Sequence, residues 1–254
     1  MKRVLVTGAY GQLGLALQGA VKDSNLDLIF KDKNALDITN AEEVNKVFAT
    51  QSFDVCINAA AYTNVDGAES NKELAYKINS TAVETLAKAC KQHRCWLVHI
   101  STDYVFDGTL DGPYTPSDTP NPLNVYGASK LAGEQAIRAV GGTYSVVRTS
   151  WLYSQYGNNF YTKLQAQLDA GKTLQVTADQ KGCPTPAEDL AAHLLTGIAN
   201  QQLVKGISHY CGSEVMTWLD LARRLFPNQE VLEWGGTSSP PVRPNKVVLK
   251  HNNS

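Results

Sequence analysis

The sequence contains no run approaching ~20 apolar residues, so it offers no transmembrane span. It has no excess of charge of either sign: 23 Lys and Arg stand against 24 Asp and Glu, a formal net charge of −1. That balance excludes the electrostatic footprint of a nucleic-acid binder and the polybasic patch of a membrane-surface protein. Cysteines are few: Cys56, Cys90, Cys95, Cys183 and Cys211, an odd count with no C-x-x-C pair. The apolar run at the start, MKRVLVTGAYG, is too short for a secretory signal, and glycines interrupt it. The expectation is therefore of reduced, buried thiols in a cytoplasmic protein rather than a disulfide framework. No internal repeat or low-complexity tract stands out. What remains is ordinary globular composition, 43% apolar and 19% charged over 254 residues. That size suits one large α/β domain with a small lobe.

Up to about residue 150, short β-rich runs alternate with helical patterns, the rhythm of a parallel sheet with crossover helices. RVLVT (3–7) reads as a buried strand, and 12–21 as a helix with Leu13, Leu17 and Ala20 on one side. DLIF (27–30), DVCIN (54–58), WLVHIS (96–101) and YSVVRT (144–149) are further strands. Thr39 or Asn40 caps a helix running through Phe48, and residues 71–93 form one long helical stretch. Beyond Trp151 the pattern changes. GNNF (157–160) leads a helix to about Ala170, 174–177 suits a strand, 187–199 a helix and GISHYC (206–211) a strand. Thr217 caps a helix through Phe226, and the tail carries Pro240, Pro241 and Pro244 before ending on HNNS.

Residues 7–14 read TGAYGQLG, placing Gly8, Gly11 and Gly14 between the first strand and the first helix. A tight strand-to-helix turn needs glycine's backbone freedom, and pyrophosphate can approach helix N-terminal amides where no Cβ intervenes. The spacing is G-x-x-G-x-x-G rather than the commoner G-x-G-x-x-G. Its position still points to dinucleotide binding on a doubly wound, parallel Rossmann-type sheet of the α/β class, with a smaller C-terminal substrate lobe. Residues 1–152 would form the dinucleotide-binding domain, with 186–212 returning to it, and 153–254 mainly the substrate lobe. The second strand ends on Lys31, Asp32 and Lys33. An acid there binds a ribose 2′-hydroxyl and a lysine favours a 2′-phosphate, so NADH and NADPH both stay open. Asp37 and Ile38 follow, where the adenine would lie.

Halfway along, NVYGASKLAGE places Tyr126 four residues before Lys130. On a helix the two share a face, about 5–6 Å apart at Cβ. A free tyrosine has a pKa of ~10, and lowering it by roughly three units requires about 4 kcal/mol. An ammonium ~4 Å away at an effective dielectric of ~20 supplies about that much. The pair is thus of the right size for a proton donor and its tuning charge, although Y-x-x-x-K is also commonplace on solvated helices. SerThrAsp (101–103) ends a strand, where ligands gather in open α/β sheets. There Ser101 or Thr102 would donate to a substrate carbonyl. NAAAY (58–62) ends another strand, with alanines small enough for a flat cofactor to lie close.

Together TGAYGQLG, NAAAYTNVDGAE, STDYVFDG, PLNVYGASKLAGE, RTSWLY and GNNF resemble the extended short-chain dehydrogenase/reductase family, within it a sugar-nucleotide reductase branch. The likeness runs to about Arg243. Dehydratases of the superfamily would show an acidic pair after the Ser/Thr, whereas this chain has Asp103-Tyr104. The resemblance implies reduction by NADPH or NADH of the C4 ketone of dTDP-4-dehydro-L-rhamnose, with a dTDP-sugar as partner and no nucleic acid or membrane. It implies Tyr126 as proton donor, Lys130 on the ribose hydroxyls and beside the phenol, and Thr102 on the keto group with Asp103 adjacent. Gly8, Tyr10, Gly11, Gln12, Leu13 and Gly14 would line the pyrophosphate, and Ala59, Ala60, Ala61 and Tyr62 the nicotinamide ribose. Thr63 and Val65 would reach the sugar, and Asn158 and Asn159 the diphosphate. Trp151 would pack near the sugar, or simply in the core.

Two departures stand out. Relatives carry a further helix and strand after the Arg-Pro tail, so this chain looks shortened by some tens of residues. Some bacterial relatives join subunits through a metal held by a glutamate in the first helix. Here that helix reads LGLALQGA, with Ala16 and no acid, so no metal is expected and the chain should be a monomer or weak homodimer. Two other functions remain open at this stage: a sugar-nucleotide epimerase or dehydratase of the same family, and a non-catalytic NAD(P)-sensing regulatory subunit.

Overall fold

The computed structural model describes residues 1–21, 25–236 and 242–250. Pro240, Pro241 and the closing HNNS lie outside the described residues. In chain order the first elements are β1 (Lys2–Thr7), α1 (Gln12–Gly19), β2 (Leu26–Lys31), α2 (Ala41–Thr50) and β3 (Val55–Asn58). Next come α3 (Val65–Ser70), α4 (Lys72–Tyr76), a π turn (Lys77–Thr81), α5 (Ala82–Gln92), β4 (Trp96–Thr102) and a 3-10 turn (Asp103–Val105). They are followed by α6 (Val125–Val140), β5 (Tyr144–Thr149), β6 (Leu152–Tyr153), α7 (Phe160–Asp169), β7 (Leu174–Val176), β8 (Lys181–Gly182) and β9 (Thr185–Pro186). The last are α8 (Ala187–Ala199), β10 (Gly206–His209), β11 (Met216–Thr217), α9 (Trp218–Leu225) and β12 (Val231–Glu233).

Six strands form one parallel sheet in the order β2-β1-β3-β4-β5-β10. The alternation of side chains explains why both faces are covered. Val4 and Val6 face a layer containing Leu13 and Leu17 of α1 and Leu190, Leu194 and Ile198 of α8. Leu5, between them, faces Val44 and Phe48 of α2, Val83 and Leu86 of α5, and Ile137 of α6. Each fully buried Leu, Ile or Phe of these layers stabilises the fold by roughly 1.5–3 kcal/mol. A separate apolar cluster joins Leu164 of α7, Leu174 and Val176 of β7, Leu219 and Ala222 of α9, and Val231 of β12. It stands apart from the two layers that cover the sheet. The expected α/β class, with its parallel sheet wound on both faces, is the one observed.

Connections leave β1 for β2 on one side and continue from β3 to β4 and β5 on the other. The chain direction therefore switches between β1 and β3, and the crevice outside their C-terminal ends is where ligands bind in such sheets. Some local readings are corrected. The stretch 71–93 is not one regular helix: α4 and α5 are joined by the π turn. The strand over 206–211 stops at His209. Helix α3 and strand β12 were not foreseen; both are short, and neither has a long apolar period.

Candidate active site

The glycine loop sits at the switch point. Thr7, the last residue of β1, donates from Oγ1 to Oδ1 of Asn58, the last residue of β3, at 2.7 Å. Gly8 then turns with φ +72°, and a Cβ there would lie 2.7 Å from the Ala60 amide nitrogen. A Cβ on Gly14 would overlap the Gly8 and Ala9 carbonyls. The glycines thus bring β1, α1 and the Ala59–Ala60 backbone into one cradle that any larger residue would fill. Gly11 is the N-cap of α1 and offers no side chain to its first-turn amides. Tyr10 is 69% exposed at the loop's tip. Gln12 donates from Nε2 to the Leu152 carbonyl at 3.1 Å, tying the cradle to the start of the second lobe. Leu13 is buried in the core, so only its backbone faces the loop.

At the end of β2, Lys31 is half-buried. Asp32 is committed to a turn, accepting from the Ala35 amide at 2.9 Å. The Asp37 carboxylate accepts from the amide and hydroxyl of Thr39 at 2.9 and 2.8 Å, and the Thr39 amide bond holds it below the usual carboxylate range. Ile38 packs into the α2–α5 core. Asp37 and Ile38, expected against an adenine, thus shape the turn before α2, because a short acid ahead of a helix is drawn to nearby amides.

The second wall is the segment after β3. Ala59, Ala60 and Ala61 are half-buried, and Tyr62 is pinned at both backbone groups. Its amide donates to Asn79 Oδ1 at 2.8 Å, and its carbonyl accepts from Asn79 Nδ2 at 3.0 Å. Asn79 lies in the π turn and also reaches Ser129 Oγ at 3.0 Å. The wide turn aims this amide inward, and the Asn79 backbone carbonyl lies so close to Gly133 of α6 that a Cβ there would overlap it. Thr63 is exposed and Val65 half-buried at the start of α3.

The third wall carries the expected chemistry. Asn124 caps α6 by accepting from the Gly127 amide at 2.8 Å, and Gly127 packs directly on the Tyr104 carbonyl. This docking sets Tyr126 beside the end of β4, with its ring edge-on to Tyr104 at 5.7 Å. Its hydroxyl lies beside Thr102, which pulls the phenol down, but burial outweighs that and pushes it up to about 12. Thr102 donates to Asp103 Oδ1 at 3.1 Å, and Ser150 donates to Asp103 Oδ2 at 2.7 Å. Asp103 is fully buried, and desolvation pushes it up to about 6 against those hydrogen bonds.

Lys130 is buried one helical turn past Tyr126. Its ammonium donates to the Ile100 carbonyl at 2.6 Å and lies 3.2 Å from His99 Nε2. Burial pulls it down to about 8, opposed by Glu134. The expectation that Lys130 depresses the phenol is therefore corrected. The lysine is turned to β4, and burial, Thr102 and Asp103 govern Tyr126. Glu134, in turn, holds Arg148 of β5 through Nε at 3.0 Å and Nη2 at 2.7 Å, both side chains being 2% exposed, and accepts from Ser101 Oγ at 2.5 Å. Ser101 thus supports this ion pair.

On the lobe side, Trp151 has φ +46° and lies flat on Trp218, ring centroids 3.5 Å apart and planes 2° from parallel. Trp218 is fixed in turn by a bond from Nε1 to Gln180 Oε1 at 2.9 Å. A bulky residue in the left-handed region marks a locally strained site, here just beyond the C-terminal end of β5. Asn158 is exposed. Asn159, expected on a diphosphate, is instead buried as the N-cap of α7. It donates to the carbonyls of Ser154 and Tyr156 and accepts from the amides of Tyr161 and Thr162. All its hydrogen-bonding capacity goes to the loop it shapes.

The geometry meets its relatives here. Residues 1–248 match the model of the RmlD substrate binding domain. The chain belongs to the RmlD substrate binding domain family. Among curated relatives, the dTDP-4-dehydrorhamnose reductase of Aggregatibacter actinomycetemcomitans is 39% identical over 241 residues, covering 92% of this chain and 82% of its own. The Escherichia coli (strain K12) protein of the same name is 40% identical over 230 residues, covering 88% and 77%. The crystal structure of dTDP-4-dehydrorhamnose reductase from Bacillus anthracis in complex with NADP superposes with a TM-score of 0.91 at 37% identity, covering 99% of this chain and 91% of that one. For this RmlD-family chain, sequence reasoning passed over Asn79, His99, Glu134, Arg148, Ser150 and Trp218. Glu134 had a signal, being the third member of the i, i+4 series begun by Tyr126 and Lys130. Asn79 and Trp218 had none, since their roles depend on the π turn and on the lobe packing.

Proposed function

We propose that this chain is an NADPH- or NADH-dependent reductase that converts the C4 ketone of dTDP-4-dehydro-L-rhamnose into the hydroxyl of dTDP-L-rhamnose, in nucleotide-sugar biosynthesis. The observation that carries the reading is one constellation: Tyr126 beside Thr102 at the end of β4 and Lys130 one turn on along α6, packed on the sheet that ends in the glycine cradle. Residues 1–152, with 186–212, hold the cofactor, and 153–254 mainly hold the sugar nucleotide. Gly8, Gly11, Gly14 and the backbone of Gln12 and Leu13 receive the pyrophosphate, with Tyr10 over it. Ala59 to Tyr62 flank the nicotinamide ribose. Lys31 and Lys33 favour a 2′-phosphate, since Asp32 is committed to its turn; NADPH is the preferred cofactor.

When bound, the reduced nicotinamide supplies the hydride to C4. The protein's part is position and a proton. Thr102, turning its one hydroxyl proton from Asp103 to the substrate, fixes the keto oxygen, and Tyr126 donates its phenolic proton to the oxygen as the C–O bond becomes single. A phenol pushed up to about 12 keeps its proton at neutral pH, which is the state a donor requires. An alkoxide is more basic than a phenolate, so the transfer runs downhill even from there. The Lys130 ammonium holds the ribose hydroxyls and stabilises the phenolate left behind. Thr63, Val65 and Trp151 border the sugar, and Asn158 the diphosphate. No helix among the described residues is long and apolar enough to cross a membrane. The chain acts in the cytoplasm, as a monomer or weak homodimer.

The test mixes purified protein with NADPH, or NADH, and dTDP-4-dehydro-L-rhamnose, following cofactor absorbance and the sugar product. Stoichiometric consumption separates reduction from an epimerase or dehydratase, which recycles its cofactor. Tyr126→Phe should lose most turnover, roughly the 10²–10⁴-fold that a positioned proton donor provides, while still binding NADPH. A Tyr126→Phe enzyme with the native rate would remove the assignment.

A further inference from the structure

Behind Lys130 lies a chain of polar side chains that proton donation does not use. Lys130 Nζ is 3.2 Å from His99 Nε2, His99 Nδ1 is 3.1 Å from Asn58 Nδ2, and Asn58 Oδ1 accepts from Thr7 Oγ1 at 2.7 Å. The three supporting residues come from β4, β3 and β1, and each is at most 1% exposed. The chain therefore links the lysine to the residue that precedes the glycine cradle, and it does not reach solvent.

We propose that His99 is a positioning residue for Lys130: neutral and fixed in one tautomer by Asn58, it accepts a hydrogen bond from the ammonium, and the direction of the whole Thr7–Asn58–His99 chain reverses when Lys130 loses its proton. The inference rests on the reading of Lys130 as the ribose- and phenol-facing cation. The argument is one of donors and acceptors. With the Asn58 amide nitrogen on the ring, His99 Nδ1 accepts, so a neutral ring carries its proton on Nε2 and aims it at Lys130. An amine accepts that proton; an ammonium, which has only donors, does not. The ammonium state requires the reverse order. Lys130 donates to Nε2, Nδ1–H donates to Asn58 Oδ1, and Asn58 Nδ2 donates to Thr7 Oγ1. A half-turn of the amide exchanges the two orders with every heavy-atom distance preserved.

An imidazolium is excluded from either order, because it would face the lysine with a second positive charge in a buried site. Burial and Lys130 both hold the ring well below its ordinary pKa. The other charges near the lysine are accounted for. Glu134 faces it from α6 and is itself held by Arg148 from β5 and by Ser101 from β4, while Asp103 lies against Thr102 and Ser150. Tyr126 is the remaining titratable group on the lysine's own helix face. With Ile100 and His99 taking two of the three ammonium N–H groups, the direction of the third is set by the protein.

Two measurements test this. Histidine labelled with ¹⁵N reports ring tautomers directly in the ligand-free protein, with His99 assigned among the five histidines by its loss in His99→Gln. The expected result is the neutral Nδ1–H tautomer near neutral pH, converting to Nε2–H as pH rises past about 8, where Lys130 titrates. An Nε2–H tautomer or an imidazolium at neutral pH would overturn the proposal, as would a tautomer unchanged to about pH 10. Neither outcome depends on turnover, so failure here is distinct from failure of the reductase reading. The second is the pH profile of NADPH-dependent turnover. His99→Leu removes the acceptor and should move the alkaline limb down by about one pH unit or more, and His99→Gln, which keeps an acceptor, should restore it. Coincident limbs in wild type and His99→Leu would overturn it, whatever the change in kcat.

Discussion

Replacing Asp103 by Asn tests the electrostatics of the site through folding rather than catalysis. The carboxyl is buried, and its pKa stands at about 6 against a reference of 3.8. Desolvation is the largest cause, only partly offset by the hydrogen bonds from Ser150 and Thr102. A folded-state pKa above the unfolded one means that the native state holds this proton more tightly. Stability from the group is fully present below about pH 3.8 and is lost as pH rises through about 6. The 2.2-unit difference between those two values, at 1.36 kcal/mol per unit, corresponds to about 3 kcal/mol in all. About 2 kcal/mol of it falls between roughly pH 4.5 and 7.5. Asn has nearly the same shape and no charge, so the variant should escape this loss. Urea unfolding of both proteins across that range should show the stability of Asp103→Asn minus wild type growing by about 2 kcal/mol as pH rises. Loss of hydrogen-bond strength to Ser150 and Thr102 would offset the difference by a constant and leave its slope unchanged. A flat difference, or one that shrinks with pH, would mean that the carboxylate is comfortably ionised where it lies and that its burial has been misread.

Gly14→Ala should destabilise the fold by about 1–3 kcal/mol, because its Cβ overlaps backbone carbonyls, and should abolish the rise in melting temperature that NADPH produces in wild type. A wild-type shift would show that the cradle tolerates the methyl. Arg148→Met should cost about 3–5 kcal/mol by leaving Glu134 buried without its guanidinium partner; adding Glu134→Leu should recover most of it, as read by urea unfolding. Trp218→Leu removes the stack beneath Trp151 and should raise KM for the sugar nucleotide about two- to tenfold with NADPH affinity unchanged. An unchanged KM would make the stack a packing feature alone.

Much of the sheet could be read from residue patterns because its strands are short apolar runs bounded by turn residues. RVLVT and WLVHIS stand where β1 and β4 are found. The glycine cradle was readable for the same reason, since a strand, a turn and a helix are local in sequence. What escaped depended on distance or on competition. Asn159 reads as a ligand-facing amide until its own helix's first-turn amides claim it. Ile38 reads as a wall of the adenine site until α2 and α5 enclose it. His99 and Asn58 were read as strand residues, and their partnership exists only because parallel β3 and β4 bring them side by side in register. Helical spacing fixes where the Lys130 side chain begins but not where its ammonium points, so it does not set the acidity of Tyr126.

The wide turn at Lys77–Thr81 limits how this chain can vary in length. Successive residues of an α-helix advance by about 100° around its axis. Removing one residue there to restore a regular helix would swing Val83, Leu86 and Cys90 away from the sheet by that angle and carry the Asn79 amide off the Tyr62 peptide at the same moment. Gains and losses of single residues should therefore be tolerated on the outer loops, and forbidden in this one stretch of helix whose irregularity serves core and crevice together.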